Sequence, residues 1–533
     1  MNRKRLFTLI AAATLLTASA QKPLDWGDQQ NGTYKNPVLN ADFSDPDVIR
    51  VGDKYYMVAS DFHFLGMQVL ESSDMINWQI ISQVYDRFDL PSWDENRHYA
   101  GGSWAPAIRY HDGLFYIYFC TPDEGLFMST AQQPEGPWSP LHCLKTVEKW
   151  EDPCPFWDDD GQAYLGRSQW GAGPIIVHRM SADGRQLLDD GVTVYTGPVA
   201  EGTKFLKCDD YYYLIIPEGG VGQGWQTVLR SRNIYGPYEK RVVLEQGSTA
   251  VNGPHQGALV EAADSMWWFY HFQETHPAGR IVHLQPARWK DGWPLIGVDI
   301  DGNGVGEPVA VWTSPSTPSH PRTSAPSHPR TSITPLSDDF TATHLYWAGD
   351  QQRPLKLQWQ WCHNPVDNAW SLDKRKGWLT FHILPAANLK ESRNMLTQKT
   401  VGYESEATTR LDCSALQDGD HAGLLCIGKQ FWGVGICREN GATRFYIEQD
   451  GERTLLSPCR QKYAWLRVTI DSRQNQHQFA ISTDGKFFLL VGEPFALRMG
   501  YWKGSRVGLY SYNTGALLGG NVAFDFFHYD IKR

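Results

Sequence analysis

The stretch DFSDPDVIRVGDKYYMVAS, residues 42–60, decides the fold of this 533-residue chain. It places an Asp-Pro pair before a short apolar run, then a Gly-Asp turn, then a run rich in aromatic residues. Four later stretches repeat this order: WAPAIRYHDGLFYIYFC (104–120), EDPCPFWDDDGQAYLGRS (151–168), AEGTKFLKCDDYYYLIIPE (200–218) and GPHQGALVEAADSMWWFYHF (253–272). Intervals of roughly fifty to sixty residues are typical of radially repeated four-stranded units. Five copies therefore predict an all-β fold that begins with a five-bladed β-propeller.

A Pro/Ser-rich segment divides the chain into two domains. Residues 314–335 read SPSTPSHPRTSAPSHPRTSITP, a composition that builds no core and predicts an extended linker. Its two histidines, His320 and His328, are interpreted as part of a tandem duplication and not as a metal site. The linker leaves residues 30–313 for the propeller. Residues 336–533 alternate apolar and polar side chains between polar turns, which predicts an antiparallel β-sandwich of jelly-roll type.

The N-terminus has the pattern of a secretory signal. Basic residues 3–5 precede an apolar run, and the small-residue pattern at 18–20 follows. We therefore expect a signal peptide over residues 1–20, cut after Ala20, and export to the periplasm or beyond. A membrane helix needs a longer apolar run, and the absence of a cysteine after the cut argues against a lipoprotein anchor.

Charge and residue spacing exclude several partners. The net charge of -10, without a basic block, argues against nucleic acid or an anionic membrane as a partner. The nine cysteines show no metal-binding spacing, and no disulfide pairing is inferred. The segment DIDGNGVGEP (299–308) begins like an EF-hand loop, but Ala310 stands where a bidentate acid is required. It is interpreted as a Gly-rich closing loop.

The residues that lead the five repeats are the candidates for chemistry, because the first strand of each propeller blade lines the central channel. They are Asp45, Ala105 preceded by Trp104, Asp152, Glu201 and His255. Each one alone could simply cap a turn, but three acids in register are explained less easily that way. Buried like charges are costly unless one stays protonated or the site uses them.

Clustered carboxyl groups suit the hydrolysis of a glycosidic bond. One carboxylic acid protonates the leaving oxygen, a second carboxylate deprotonates water, and a third raises the pKa of the proton donor. Aromatic rings suit the apolar faces of sugars. The candidates for such contacts are Phe62, Trp104, Trp170 and Trp225.

These motifs resemble glycoside hydrolase family 43. The resemblance rests on NPVLNADFSDPDVIRVGDKYYM, WAPAIRYHDGLFYIYF, DPCPFWDDDGQAYL, AEGTKFLKCDDYYYL and GRIVHLQP, and LQWQWCHNPVDNAWSL resembles the β-sandwich of its β-xylosidase and α-L-arabinofuranosidase members. It implies that Asp45 is the general base, Asp152 the orienting and pKa-modulating acid, and Glu201 the general acid of an inverting enzyme. It also implies that Arg280 binds sugar hydroxyls and that His255 lies near an axial ion or water.

Two departures from the family pattern affect these expectations. Ala107 stands where the family often has Asp or Thr, so one polar contact is missing, and the sequence GPHQGAL around His255 leaves ion coordination open. No cofactor is expected to be required, while a structural calcium ion at the propeller axis is left open.

The leading hypothesis is an exported, exo-acting, inverting hydrolase. It would release terminal α-L-arabinofuranosyl or β-D-xylosyl residues from plant cell-wall polysaccharides such as xylan, or from their oligosaccharides. The alternatives are an endo-arabinanase, a non-catalytic carbohydrate-binding propeller and a protein-interaction propeller. The clustered acids favour an enzyme over either binding module.

Overall fold

The computed structural model describes residues 23–95, 98–316, 331–333, 336–515 and 518–532. The predicted signal peptide and most of the predicted linker lie outside these residues. Within them, strands dominate, beside a helix at Pro91–Glu95 and 3₁₀ turns at Asp367–Ala369 and Leu389–Glu391. None of the helices in these described ranges has the length and apolar character required to cross a bilayer.

Five antiparallel units of four strands form the blades of a propeller, and the unit of blade 1 is part of a seven-stranded sheet. Their strands, from the innermost to the outermost, are Ser44–Val51, Lys54–Ser60, Gln68–Ser72 and Gln79–Gln83 in blade 1; Trp104–His111, Leu114–Thr121, Gly125–Ala131 and His142–Thr146 in blade 2; Trp150–Trp157, Ala163–Gln169, Ile175–Met180 and Val192–Tyr195 in blade 3; Lys204–Cys208, Tyr211–Glu218, Trp225–Ser231 and Glu239–Leu244 in blade 4; and His255–Glu261, Trp267–Thr275, Gly279–Lys290 and Trp293–Ile296 in blade 5. The prediction of five blades is confirmed.

The repeated motif is the inner hairpin of each blade. In blade 2 the strands Trp104–His111 and Leu114–Thr121 meet at Asp112 and Gly113, which both have positive φ, 47° and 81°. Two positive φ angles match the twist of a tight antiparallel hairpin. The second strand, LFYIYFCT, is buried almost throughout between neighbouring blades, which explains its continuous apolar run.

The ring closes where blade 5 meets blade 1. The innermost strand of blade 5 packs against Ser44–Val51 of blade 1. Leu39, ahead of blade 1, pairs with Val282 of blade 5. A small sheet of Gly27–Asp28, Thr33–Lys35 and Val311–Thr313 joins the start of the described propeller to its end.

Two seven-stranded antiparallel sheets form the second domain, which confirms the predicted sandwich. In spatial order one sheet has Gln360–Trp361, Asn394–Lys399, Arg506–Asn513, Asp420–Ile427, Phe431–Glu439, Ala442–Gln449 and Glu452–Pro458; the other has Trp370–Ser371, Leu379–His382, Asn521–Ile531, Glu404–Asp412, Tyr463–Asp471, Gln476–Ser482 and Leu489–Phe495. Burial alternates residue by residue along Tyr463–Asp471, as expected for a strand with one face in the core.

A short segment after the linker pairs with the propeller and not with the sandwich. Tyr346–Ala348 and Gln351–Arg353 extend blade 1 beyond its outer strand, and Thr331–Ser332 pairs with that same strand, Gln79–Gln83. The chain therefore returns along the outer edge of blade 1 before it enters the sandwich. This route brings the two domains into contact.

Candidate active site

A cavity of about 320 Å³ lies where the innermost strands begin. Its wall includes seven of the predicted site residues, namely Asp45, Phe62, Trp104, Asp152, Trp170, Glu201 and Arg280. Further along the axis, the partly exposed Arg109 guanidinium donates at 2.6 Å to the buried Asp47, and this ion pair joins blades 1 and 2 across the channel. The cavity is therefore a blind pocket and not an open tunnel.

The backbone makes the same bend at the start of every blade. Asp45 and Asp152 have φ of 55° and 56°, and Ala105, Gly202 and Gln256 have φ of 34°, 62° and 36°. These five residues are the structurally equivalent positions. The prediction that Glu201 and His255 are equivalent to Asp45 is therefore wrong by one residue.

Proline explains why the repeats were misaligned by one residue. In blades 1 to 3, Pro46, Pro106 and Pro153 follow the bend and mark it in the sequence. Blades 4 and 5 have Thr203 and Gly257 there instead. Without the proline, the acidic or histidine residue one position earlier was taken for the lead residue.

Asp45 is fixed by donors on both oxygens. Arg280 Nη1 donates to Oδ1 at 3.0 Å, and Ser60 Oγ donates to Oδ2 at 2.6 Å. Ser60 Oγ in turn accepts the backbone N–H of Ala105 at 2.6 Å, and Arg280 Nε donates to Glu274 at 3.3 Å. The carboxylate is thus a buried acceptor held in one orientation at the cavity wall.

Asp152 accepts three hydrogen bonds and has little capacity left. Its donors are Ser168 Oγ at 2.6 Å, the backbone N–H of Gly202 at 2.7 Å and Gln256 Nε2 at 2.9 Å. Burial raises the pKa of Asp152 and the neighbouring Glu201 raises it further, while these donors oppose the rise. The hydrogen bond from Gly202 to Asp152 holds the backbone beside Glu201 in place.

Glu201 lies between the cavity and His255. Its side chain is 19% exposed, and His255 Nε2 donates to it at 2.8 Å. Burial raises the pKa of Glu201, but the hydrogen bond and charge of His255, together with Arg280, hold it below its ordinary value. A general acid at neutral pH needs a raised pKa, so the groups that surround Glu201 decide whether it can hold a proton.

Glu151 lies beside Glu201 in the cavity wall, and the sequence analysis missed it. Glu151, Asp152 and Glu201 form a group that we call the carboxyl cluster. One carboxyl oxygen of each residue lies within 4.8 Å of those of the other two. Burial raises the pKa of Glu151 to about 9, and the charges of Asp152 and Glu201 contribute. The sequence feature that marks Glu151 is its place directly before the bend at Asp152. Glu201 has the same place before the bend at Gly202.

Comparison with known proteins finds matches for both domains. Residues 34–294 match the family model "Glycosyl hydrolases family 43", and residues 350–530 match "Beta xylosidase C-terminal Concanavalin A-like domain". A putative beta-xylosidase of Xylanibacter ruminicola is 61% identical over 91% of this chain and 87% of its own length. A beta-xylosidase of Formosa agariphila is 34% identical over 99% of this chain and 98% of its own length.

The chain belongs to glycoside hydrolase family 43. It is a glycosidase, which removes the purely binding propellers from consideration. The solved structure of a xylan beta-1,4-xylosidase from Bacillus halodurans C-125 shares the two-domain fold, with a TM-score of 0.79 and 25% identity. That likeness covers 93% of this chain and 99% of the other.

Aromatic rings form one side of the glycosidase pocket. Trp104 lies 6.1 Å from Phe62 and 6.4 Å from Trp170 between ring centroids, and Trp170 is 54% exposed at the rim. Trp225, predicted as a sugar contact, is not part of the cavity wall. Its Nε1 donates to Thr227 Oγ1 at 3.1 Å, and its ring lies over Gly219, so it packs within blade 4.

The sandwich completes the pocket of the enzyme. Trp502 lines the cavity, is 46% exposed and lies 5.9 Å from the Arg280 guanidinium. The next residue, Lys503, is buried; it pairs with Asp42 at 2.7 Å and donates to the carbonyl of Ser60 at 2.9 Å. Since Asp42 accepts the backbone N–H of Arg280 at 2.9 Å, the second domain supports both donors to Asp45.

We expect Lys503→Met to destabilise the fold by about 3–5 kcal/mol, because it leaves Asp42 buried without its nearest cation. Urea unfolding measures this loss, and kcat falls with it because Ser60 and Arg280 lose their support. The matched control is Lys486→Met, at an exposed lysine of the same domain, which leaves both quantities unchanged. An unchanged unfolding midpoint in Lys503→Met would contradict the role of this pair.

The surroundings of His255 do not fit a calcium ion. Calcium binds six to eight oxygens, whereas His255 offers a ring nitrogen, and its nearest carboxylate, Glu201, is already bonded to Nε2. Its buried Nδ1 has no hydrogen-bond partner among the described residues and fits a single water. In the carboxyl cluster, Asp152 already accepts three donors and is a poor calcium ligand.

Proposed function

We propose that this enzyme is an exported, exo-acting, inverting β-xylosidase that releases terminal β-D-xylosyl residues from xylan fragments. The observation that carries the proposal is a small blind pocket in which Asp45 lies apart from the carboxyl cluster. Its volume is near the lower end of the roughly 300–1,000 Å³ typical of ligand sites, which suits one sugar unit. The names of the related β-xylosidases favour xylose over arabinose.

In the proposed mechanism Glu201 is the general acid. It transfers its proton to the glycosidic oxygen as the bond from that oxygen to the anomeric carbon breaks. The leaving sugar departs as a neutral alcohol, and Glu201 becomes a carboxylate that His255 stabilises. Asp152 holds the adjacent backbone at Gly202 throughout.

Asp45 is the general base for the attacking water. It takes one proton from the water as the oxygen forms a bond to the anomeric carbon on the face opposite the leaving group. The released xylose therefore has the inverted anomeric configuration. Arg280 keeps the carboxylate in place and presents further N–H groups to the sugar hydroxyls.

The exo mode follows from the closed end of the pocket. The Asp47–Arg109 pair blocks the axis below the site, and Trp502 covers one side from the second domain. Only the end of a chain fits such a pocket, whereas an endo-arabinanase needs an open cleft. Phe62 and Trp104 offer apolar surfaces to the sugar ring.

The test is hydrolysis of xylobiose and of the paired nitrophenyl glycosides, β-D-xylopyranoside and α-L-arabinofuranoside, with the product anomer followed by proton NMR. We expect xylose as the product, a clear preference for the xyloside, and the α-anomer formed first. A preference for the arabinofuranoside, or retention of configuration, would overturn the proposal.

We also propose that hydrolysis needs no cofactor, because the carboxyl groups supply both proton transfers. Dialysis against EDTA is then expected to leave kcat unchanged on xylobiose, and added calcium is expected not to raise it. A loss of activity that calcium restores would show that an ion holds the site together.

The proposal of export rests on the signal-like segment 1–20. N-terminal sequencing of the mature protein from its native cell is expected to begin at Gln21. An intact N-terminus in the cytoplasmic fraction would contradict export.

A further inference from the structure

Glu151 is a buried acid in the pocket wall that the mechanism above does not use. It is 8% exposed, and its Oε1 has no hydrogen-bond partner in the described part of the chain. A buried polar atom without a partner costs free energy unless the site uses it. Its place in the pocket, within 4.8 Å of Glu201, indicates a role in the reaction.

Like charges this close destabilise one another, so the resting cluster at neutral pH favours a state in which one of its three carboxyl groups is protonated. Three donors to Asp152 favour its charged form and oppose the rise in its pKa that burial and Glu201 cause. The proton of the cluster therefore resides on Glu151 or on Glu201. Two such groups titrate together, and their apparent pKa values describe the pair and not either residue alone.

The other groups around Glu151 do not neutralise it. The titratable groups that face it are Asp152 on its own strand, Glu201 of blade 4, Asp45 of blade 1 and Cys120 of blade 2. Arg280, a cation in the pocket wall, pairs with Asp45 and Glu274, and the backbone N–H of Ala172 only partly opposes the rise in the pKa of Glu151. Negative charge thus surrounds Glu151 on three sides and favours its neutral, protonated form.

We propose that Glu151 shares the catalytic proton with Glu201 and keeps the pair singly protonated at the pH of the reaction. In the free enzyme the proton rests on Glu151. It moves to Glu201 when the glycosidic oxygen approaches, so that Glu201 donates it and Glu151 is left as a carboxylate until the pair takes up a proton from water. Glu151 is thus a positioning residue for the proton, and the inference rests on the proposed acid role of Glu201.

The directions of the pKa shifts of Glu151 and Glu201 agree with these two roles. Burial and its acidic neighbours raise the pKa of Glu151 to about 9, while His255 and Arg280 leave that of Glu201 below its ordinary value. A lone Glu201 would lose its proton at lower pH than the pair does. The basic limb of the pH profile therefore reports whether Glu151 takes part.

The experiment compares wild type, Glu151→Gln and the control Glu148→Gln, an exposed glutamate just ahead of the same strand. The pH profile of kcat/KM on xylobiose and the thermal midpoint are measured for each. In Glu151→Gln we expect the basic limb to move to lower pH by about one unit or more. At low pH, kcat/KM of the variant stays near the wild-type value, because the Gln side chain has the shape of the neutral acid. Glu148→Gln leaves the profile unchanged.

An unmoved basic limb in a folded Glu151→Gln variant overturns the inference, as does a change confined to KM, which would indicate only a sugar contact. Carbon-13 NMR of wild type with labelled glutamate carboxyls gives a second readout that needs no variant. A glutamate that titrates above pH 7 supports the inference, and its absence overturns it. Failure of wild type to cleave xylobiose overturns the proposed substrate instead and leaves this titration as an independent test.

Discussion

Asp45→Asn loses about 10²–10⁴-fold in kcat on xylobiose, the range expected when a general base is removed. The amide has nearly the shape of the carboxylate but takes no proton from water at neutral pH. Its NH₂ group must also face either Arg280 or Ser60, which are both donors to Asp45 in the native site. We therefore expect hydrolysis of the nitrophenyl xyloside to be lost as well, since a better leaving group does not replace the base.

The control for this variant is Asp53→Asn, at the exposed turn of the same hairpin. It keeps wild-type kcat and the same thermal midpoint. A folded Asp45→Asn enzyme with full activity on both substrates would show that another group activates the water. Glu274, which is bonded to Arg280, would be the next candidate.

The propeller could be predicted because its determinants are local. Each repeat contains its own apolar run, hairpin turn and aromatic strand within about twenty residues, and the radial packing follows from five copies. Asp45 and Asp152 could be singled out for the same reason, because each stands at the bend of its repeat, while Glu201 stands one residue ahead of its bend. Their hydrogen-bond partners were beyond reach, since Gln256 and Gly202 come from other blades.

Long-range contacts account for what the sequence did not reveal. Trp502 and Lys503 reach the site from the second domain. They lie more than 400 residues beyond Asp45 in the chain, and no local pattern marks them. Glu151 was overlooked because only one acid per repeat was sought. Trp225 opens a strand of blade 4, where it is half-buried away from the cavity wall.

Glu201→Gln is expected to separate natural from activated substrates. On xylobiose the leaving group is a sugar alkoxide that needs a proton, so kcat falls by about 10²–10⁴-fold. A nitrophenolate leaves without that help, so its hydrolysis by the variant stays within about tenfold of wild type. The hydrogen bond that Asp152 accepts from the backbone N–H of Gly202 survives the substitution.

The ratio of the two rates distinguishes a general acid from a residue that merely shapes the pocket. A pocket defect lowers both rates together, because both substrates place the same xylosyl unit beside Phe62 and Trp104. Only the loss of a proton donor spares the activated substrate. Glu239→Gln, on the outer strand of the same blade, is the matched control and keeps both rates. An equal loss on the two substrates would show that Glu201 shapes the pocket and is not the general acid. Glu151, whose pKa is raised, would then be the candidate for the general acid.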